Sequence, residues 1–200
     1  MLEPAVTKIG MPMEEFIRLY DTEGPFELVN DIRKPVLPQV AGHGQVGQDF
    51  WMALDSYAES HQLGEAWMRA PFVQVNTDDS VASSYTPDVM YFRAERMASY
   101  KSAVPNWKWK PYLLIPDLVV EVVAPTDDFG ELDEKVDKYL TDGVLKVWVM
   151  NPQRIKVSVY TPALDNKPHT KQRTNLFSGD ILTGGDLIPG FELPVAKIFE

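Results

Sequence analysis

The sequence contains no cysteine, and this absence removes several kinds of chemistry at once. Without thiols there can be no disulfide framework, no thiolate zinc site and no cysteine nucleophile. Histidine is scarce, and the three separated residues His43, His61 and His169 do not make a zinc site. No G-x-S-x-G elbow, G-x-x-x-x-G-K-[ST] loop or H-E-x-x-H motif is present. The chemistries that depend on these motifs are therefore poor interpretations of this chain.

Long apolar runs are also missing. None approaches the roughly 18 residues that a membrane span needs. The first residues lack the basic-then-apolar order of a secretory signal. With 200 residues, 44% of them hydrophobic and 24% charged, the chain has the size and composition of one globular α/β domain. We therefore expect a single domain over residues 1–200, located in the cytoplasm and without a membrane partner.

Positive charge is in short supply, because 19 basic residues face 29 acidic ones and the net charge is -10. Nucleic-acid binding normally uses a basic face that neutralises phosphates, so this balance argues against such a partner. A local basic strip would still suffice. Its candidates are Lys101, Lys108, Lys110, Lys167, His169, Lys171 and Arg173. The alternative interpretation is that these residues are scattered surface charges.

The apolar residues that are present change their period along the chain. Helical spacing predicts helices over 12–21, 45–61 and 131–140, the last of them ending near Gly143. Apolar, β-branched or aromatic runs predict strands over 26–30, 67–77, 87–92, 118–123, 145–150 and 155–160. Residues 77–87 are polar and are expected to form a turn-rich connection. This order predicts an α/β fold with a mixed sheet flanked by helices, and with central strands 87–92, 118–123 and 145–150.

Two acidic residues in this pattern call for an explanation. Glu121 lies within an apolar strand and Asp88 at the head of another, where a buried charge needs a partner or a metal ion. If these strands pair antiparallel, Asp88 lies beside Glu121, as a Mg²⁺ site would require. Asp117 shares a sheet face with Glu121 but lies about 13 Å away along the strand. It therefore has a second interpretation, as a capping or turn-forming residue.

Several short motifs occur in an order that is specific as a set. They are FELVND, His43-Gly44, Thr86-Pro87-Asp88, PDLVVEVVAPTDD, Glu134-Lys135-Val136-x-x-Tyr139, Gly143-Val144-x-x-x-Trp148 and, over 189–194, Pro-Gly-Phe-Glu-Leu-Pro. In this order the chain resembles the Uma-two family of restriction endonuclease-like proteins, a branch of the PD-(D/E)XK nuclease superfamily. The resemblance runs from about residue 12 to residue 199.

The resemblance implies a restriction endonuclease-like core and a set of site residues. Asp88 and Glu121 would bind Mg²⁺ or Mn²⁺, with the carbonyl of Val122 as a further ligand. The superfamily's usual lysine position, two residues after the glutamate, is Val123 here. Family members carry a lysine on the next helix instead, which is matched by Lys135. Two alternatives remain: Lys138 takes this role, or Lys135 is an ordinary helix lysine paired with Glu131 or Glu134.

Two further positions match the family. Glu27 corresponds to the glutamate of its first strand and is expected to help bind a second metal ion or position water, unless it is simply a half-exposed strand acid. Asn30-Asp31 replaces the family's glycine turn, and both residues can adopt turn conformations. His43 is open to capping, packing or DNA contact, of which we favour a structural role.

The implied activity is hydrolysis of DNA phosphodiester bonds by metal-activated water, with Asp88, Glu121, Lys135 and Glu27 as the catalytic set. Symmetric cleavage of a duplex would favour a homodimer. A second hypothesis is a catalytically inactive module of nuclease fold that binds nucleic acid or protein. A third is an unrelated α/β protein whose acids are structural.

Overall fold

The fold is given by a computed structural model, which describes residues 10–38, 41–125, 127–163 and 170–200. In chain order its helices are α1 (Met13–Glu23), α2 (Ala41–Ser60), α3 (Ala94–Ala103), α4 (Phe129–Asp142) and α5 (Val195–Ile198). Its strands are β1 (Phe26–Val29), β2 (Ile32–Pro35), β3 (Gly64–Met68), β4 (Phe72–Val75), β5 (Val81–Tyr85), β6 (Val89–Arg93), β7 (Leu118–Val122), β8 (Lys146–Asn151), β9 (Lys156–Pro162), β10 (Lys171–Phe177), β11 (Ile181–Thr183) and β12 (Glu192–Pro194).

The described residues group into two compact units. The first takes them from Met1–Pro38, Ala70–Thr86 and Asn106–Ile115, and the second from Gln39–Arg69, Pro87–Pro105 and Pro116–Glu200. The single domain over residues 1–200 stays a prediction. No helix among the described residues is long and apolar enough to cross a membrane.

The first unit is an antiparallel sheet with one helix. Its strand order is β2-β1-β5-β4, and β1 and β2 form a hairpin in which Val29 faces Ile32. The hairpin turns at Asn30 and Asp31, whose φ angles of 53° and 61° are the left-handed values that a tight turn needs. The prediction that these two residues preserve the turn is confirmed. Phe16 and Leu19 of α1 are buried in a cluster with residues of β1, β4 and β5.

The second unit is built on a six-stranded mixed sheet of order β10-β9-β8-β7-β6-β3. Strands β7 and β8 are parallel and α4 connects them, whereas the other neighbouring strands are antiparallel. The three predicted central strands are therefore adjacent, as β6, β7 and β8.

Helices cover both faces of this sheet. Phe50, Leu54 and Ala58 of α2 pack in one core with alternate residues of β7, among them Val120 and Val122, and with the C-terminal tail. The intervening residues of β7 point to the other face, and there Tyr139 of α4 contacts Glu121. The predicted fold class, a mixed sheet flanked by helices, is confirmed.

Two predictions about the strands are wrong. Residues 67–77 do not form one strand: β3 ends at Met68 and β4 begins at Phe72, in different sheets. The positive φ of Arg69 and the missing N–H of Pro71 break the ladder between them. Residues 77–87 are not only a connection, because 81–85 form β5. Its Ser84 can be buried since its hydroxyl accepts the N–H of Leu28 at 2.8 Å.

Several elements were not predicted from the sequence, among them α3, β2 and the tail elements β10, β11, β12 and α5. Helix α3 was not predicted because it buries only Met97 and Tyr100, which leaves a weak apolar period. Strand β2 is exposed at all four positions and carries no alternation of apolar and polar residues.

Candidate active site

Asp88 and Glu121 occupy facing positions on two central strands. Strands β6 and β7 pair antiparallel with Val89 opposite Val120 and Met90 opposite Val119. Asp88 immediately precedes β6, so the same register places it opposite Glu121. Both residues are only 8% exposed. The predicted antiparallel pairing is confirmed, and its consequence is that two acidic residues face each other at one end of these strands.

The carboxylate of Asp88 is held by groups on two sides. Its Oδ2 accepts the backbone N–H of Val122 at 2.7 Å, so the strand that carries Glu121 also fixes Asp88. The same oxygen lies 3.2 Å from Nε2 of His43, in the first turn of α2. His43 thus has a contact with a site carboxylate, beyond the capping and packing that the sequence indicated.

The environment of His43 is strongly negative. Its hydrogen bond to Asp88 raises the pKa of the imidazole above the ordinary value, and burial opposes this. The charges of Asp88, Asp127 and Glu121 raise the pKa further. Three carboxylates therefore act on one imidazole and favour its protonated, positively charged form.

Glu121 is held from α4. Its Oε1 accepts the hydroxyl of Tyr139 at 2.6 Å and forms an ion pair with Nζ of Lys135 at 3.0 Å. Lys135 and Tyr139 are four residues apart, so they share a helix face. The start of α4 is fixed by the side chain of Asp128, which accepts the N–H of residues 130 and 131. Gly143, with φ of 107°, ends the helix as predicted.

The lysine that the sequence assigned to the site does contact it. Lys135 lies against Glu121 with its side chain 24% exposed, so it is more than a solvent-facing helix lysine. Lys138 is half-buried, and its role as the alternative lysine is untested. A catalytic role for either residue stays a prediction.

Asp117 lies at the opposite end of β7 and has different partners. It is fully buried and accepts the N–H of Arg93 at 3.0 Å and the Nε of Arg93 at 2.9 Å. Nη1 of Arg96 forms an ion pair with it at 2.9 Å. These bonds join Asp117 to Arg93 at the end of β6 and to Arg96 in α3. They give the buried carboxylate a structural explanation, whereas its capping role stays a prediction.

Glu27 lies on β1 in the first unit, where its Oε1 accepts the N–H of Thr86 at 3.0 Å. Its role as a helper in catalysis stays a prediction. So does the role of the Val122 carbonyl as a metal ligand, since the contact described above involves the N–H of that residue.

The candidate basic strip is partly neutralised. Lys101 pairs with Glu65, and Lys171 pairs with Asp133 at 2.8 Å and Asp137 at 2.7 Å. Arg173, Lys108 and Lys110 are exposed. Lys167 and His169 lie outside the described residues. Exposed positive charge thus includes Lys108 and Lys110, in the first unit.

The donor set suits a hard divalent cation. Mg²⁺ is commonly bound by one or two carboxylates, with water and substrate phosphate oxygens completing the shell. Asp88 and Glu121 supply such a pair. Within the described parts of the chain no group of three or more acidic or histidine side chains is arranged to hold a metal ion. The protein side of a Mg²⁺ site would therefore rest on this pair.

Comparisons with known proteins show the family and the fold of the chain. Residues 13–196 match the model of the Uma2 family, described as "Putative restriction endonuclease". The chain belongs to this family. Its structure is similar, with a TM-score of 0.73, to the crystal structure of a "putative nuclease belonging to DUF820" from Anabaena variabilis. The similarity covers 94% of this chain and 97% of that chain at 16% identity, so it shows the fold alone. No curated protein matches the chain.

Membership of the Uma2 family excludes the hypothesis of an unrelated α/β protein. The structure shows two residues near the site that the sequence did not assign, Tyr139 and Asp127. Tyr139 is part of a motif that carries the resemblance but has no site role in the sequence analysis, although its spacing of four from Lys135 is the signal that could reveal one. Asp127 gave no such signal, because it follows the strand and acts on His43 through space.

Proposed function

We propose that this chain is a Mg²⁺- or Mn²⁺-dependent endodeoxyribonuclease that hydrolyses phosphodiester bonds of DNA. The observation that carries the proposal is the facing pair Asp88 and Glu121, with Lys135 3.0 Å from the second carboxylate. A buried carboxylate pair with an adjacent ammonium group is the donor set that metal-assisted phosphodiester hydrolysis needs. Family membership supports the same reaction class.

Each residue of the candidate site has a proposed role. Asp88 and Glu121 would hold the ion, which when bound polarises the phosphate and lowers the pKa of a water molecule. Lys135 would position the attacking water and stabilise negative charge that develops on the phosphate. Tyr139 fixes Glu121 and Val122 fixes Asp88 through the hydrogen bonds described above. Glu27 is included as a helper, on the family match alone.

One observation favours a second function, a catalytically inactive module that binds nucleic acid or protein. Val123 occupies the position where the superfamily normally has its lysine. The net charge of -10 points in the same direction, because it opposes DNA binding. If the module is inactive, replacing Asp88 and Glu121 should change neither metal binding nor function.

The test uses plasmid and short duplex DNA with Mn²⁺, Mg²⁺ or EDTA. Wild type is compared with an Asp88→Asn, Glu121→Gln double variant, which keeps side-chain size and removes both charges. Metal-dependent cleavage that vanishes in the variant supports the nuclease. Equal behaviour of both proteins supports the inactive module.

The same assay decides between the two lysines. Lys135→Met and Lys138→Met remove the charge from neighbouring turns of one helix while retaining the apolar stem. Loss of cleavage in the first variant alone assigns the role to Lys135, whereas loss in the second alone assigns it to Lys138.

We also propose a homodimer, because symmetric cleavage of two DNA strands calls for two sites related by a twofold axis. Sedimentation velocity of the wild-type protein tests this, and a monomer under cleaving conditions would contradict it. A cytoplasmic location fits a DNA substrate and a chain without cysteine.

A further inference from the structure

The first unit displays a tryptophan almost entirely in water. Trp109 ends a short 3-10 turn, Trp107–Trp109, and is 81% exposed. Tryptophan is on average one of the more buried residues, because its large ring gains much from leaving water. A ring this exposed offers two flat apolar faces to a binding partner.

The turn that carries Trp109 is held in one conformation. Asn106 takes the left-handed conformation with φ of 58°, and its carbonyl accepts the N–H of Trp109 at 2.9 Å. The ring of Trp107 lies 6.3 Å from that of Tyr112, which is 8% exposed. The backbone of Tyr112 is bonded in turn to Val73 at 2.8 Å. One tryptophan therefore anchors the turn, and the other is presented at little further cost in conformational entropy.

The surroundings of Trp109 in the sequence are basic although the chain as a whole is acidic. Between Glu95 and Asp117 there is no acidic residue. The exposed Lys108 and Lys110 flank the tryptophan directly, and Nζ of Lys108 lies 5.7 Å from the centre of the Trp107 ring. An exposed aromatic ring with an exposed lysine on each side of it in the sequence is complementary to a base attached to a phosphate backbone.

We propose that Trp109 stacks on an unpaired base of a nucleic acid while Lys108 and Lys110 contact the adjacent phosphates. A base inside a duplex is already stacked on both sides, so the ring can engage only a single-stranded segment, an end or a flap. The inference deepens the proposed nuclease function by naming its substrate class. It predicts a preference for DNA with unpaired bases over fully paired DNA.

The test measures binding apart from cleavage. Fluorescence anisotropy of a labelled short oligothymidine, its RNA counterpart and a duplex is recorded in EDTA with wild type, Trp109→Ala and Trp109→Phe. We expect Trp109→Ala to bind the single strand about tenfold more weakly and Trp109→Phe to retain most of the affinity. Duplex affinity should change less than about twofold. Comparing the DNA and RNA oligonucleotides shows whether binding of the unpaired base depends on the sugar.

Two further variants separate stacking from charge. Lys108→Gln with Lys110→Gln should reduce the salt dependence of single-strand binding by about 1.4 in its log–log slope, whereas Trp109→Ala should leave the slope unchanged. Phe177→Ala is the matched control, because Phe177 is an exposed aromatic residue, 54% exposed, in the other unit. It should bind like wild type.

The inference is overturned if Trp109→Ala binds the single strand as wild type does, if it loses single strand and duplex equally, or if wild type binds no single strand. These outcomes are independent of catalysis. A protein that cleaves plasmid with Mn²⁺ but shows no effect of Trp109→Ala retains the proposed function and loses this inference. A protein that cleaves nothing but needs Trp109 for single-strand binding loses the proposed function and retains this inference.

Discussion

The two ends of β7 each carry a buried acid, and their surroundings differ. Asp117 is fully buried, and its two oxygens are bonded to a backbone N–H and two arginine side chains. Glu121, at the other end, is slightly exposed and faces a second carboxylate, Asp88. One acid is neutralised by two arginines, whereas the other faces a second acid, with Lys135 and His43 as the basic residues beside this pair.

This difference separates an acid with a structural explanation from a candidate metal ligand. A carboxylate bonded to two arginines and a backbone N–H is stabilised without any ligand. Two facing carboxylates repel each other in a buried setting, and a divalent cation removes that repulsion. The fact that an acid is buried is therefore uninformative, whereas the sign of the surrounding charge is informative.

The largest expected effect is at Glu121. Glu121→Gln keeps the size of the side chain and an oxygen that can accept from Tyr139, so we expect the free energy of unfolding to change by about 1 kcal/mol or less. Cleavage should fall on the order of 10³-fold because the ligand charge is lost. Initial rates with Mn²⁺ measure the effect, and normal cleavage by the variant would remove Glu121 from the site.

Asp117→Asn should lower stability and leave cleavage unchanged, which is the opposite of the effect expected for Glu121→Gln. It removes the charge that holds Arg93 and Arg96, and the partial exposure of the two arginines limits the cost to about 2 to 3 kcal/mol of unfolding free energy. Urea denaturation measures this loss. Below the unfolding transition the variant should cleave at the wild-type rate. A stable variant without activity would show that Asp117 has a role in catalysis.

Tyr139→Phe tests the hydrogen bond to Glu121, at the end of β7 where the candidate site lies. It removes the hydroxyl that donates to Glu121 and keeps the buried ring. Because the hydroxyl fixes the proposed metal ligand Glu121, we expect kcat to fall by about tenfold with KM nearly unchanged. Tyr160→Phe, on β9, is the matched control. Equal kinetics of the two variants would mean that the hydrogen bond to Glu121 has no role in positioning.

The smallest effect concerns Tyr91, near the Asp117 end. Burial, and then the negative charge of Asp117, raise the pKa of Tyr91 to about 12, while Arg93 opposes this. An unfolded tyrosine ionises near pH 10. Because the folded pKa is the higher one, the contribution of Tyr91 to stability is complete below about pH 10 and is lost as the pH rises toward about 12.

Tyr91→Phe tests this assignment. The variant lacks the hydrogen bond from the Tyr91 hydroxyl to the carbonyl of Leu63, 2.7 Å long, and should be about 1 kcal/mol less stable at neutral pH. In urea denaturation the difference from wild type should shrink between about pH 10 and pH 12. A constant difference across this range would show that Tyr91 does not carry the alkaline dependence.

Local patterns predicted the elements that present the candidate site. The apolar run around Glu121 marked β7, and the spacing of Leu132, Val136 and Tyr139 marked α4 with its glycine end. The same kind of reasoning failed at 67–77, where an apolar run is divided between two sheets. The period of the apolar residues does not show which strand each segment pairs with. It therefore cannot show where one sheet ends and another begins.

The sequence by itself determined the central strands, the acids within them and the family to which the chain belongs. Only the tertiary structure decided which acid meets which partner: Glu121 meets Tyr139 and Lys135, Asp88 meets His43, and Asp117 meets two arginines. The physical reason is that these contacts join residues distant in the sequence. They depend on strand register and on the side of the sheet where each helix packs, which local spacing does not encode.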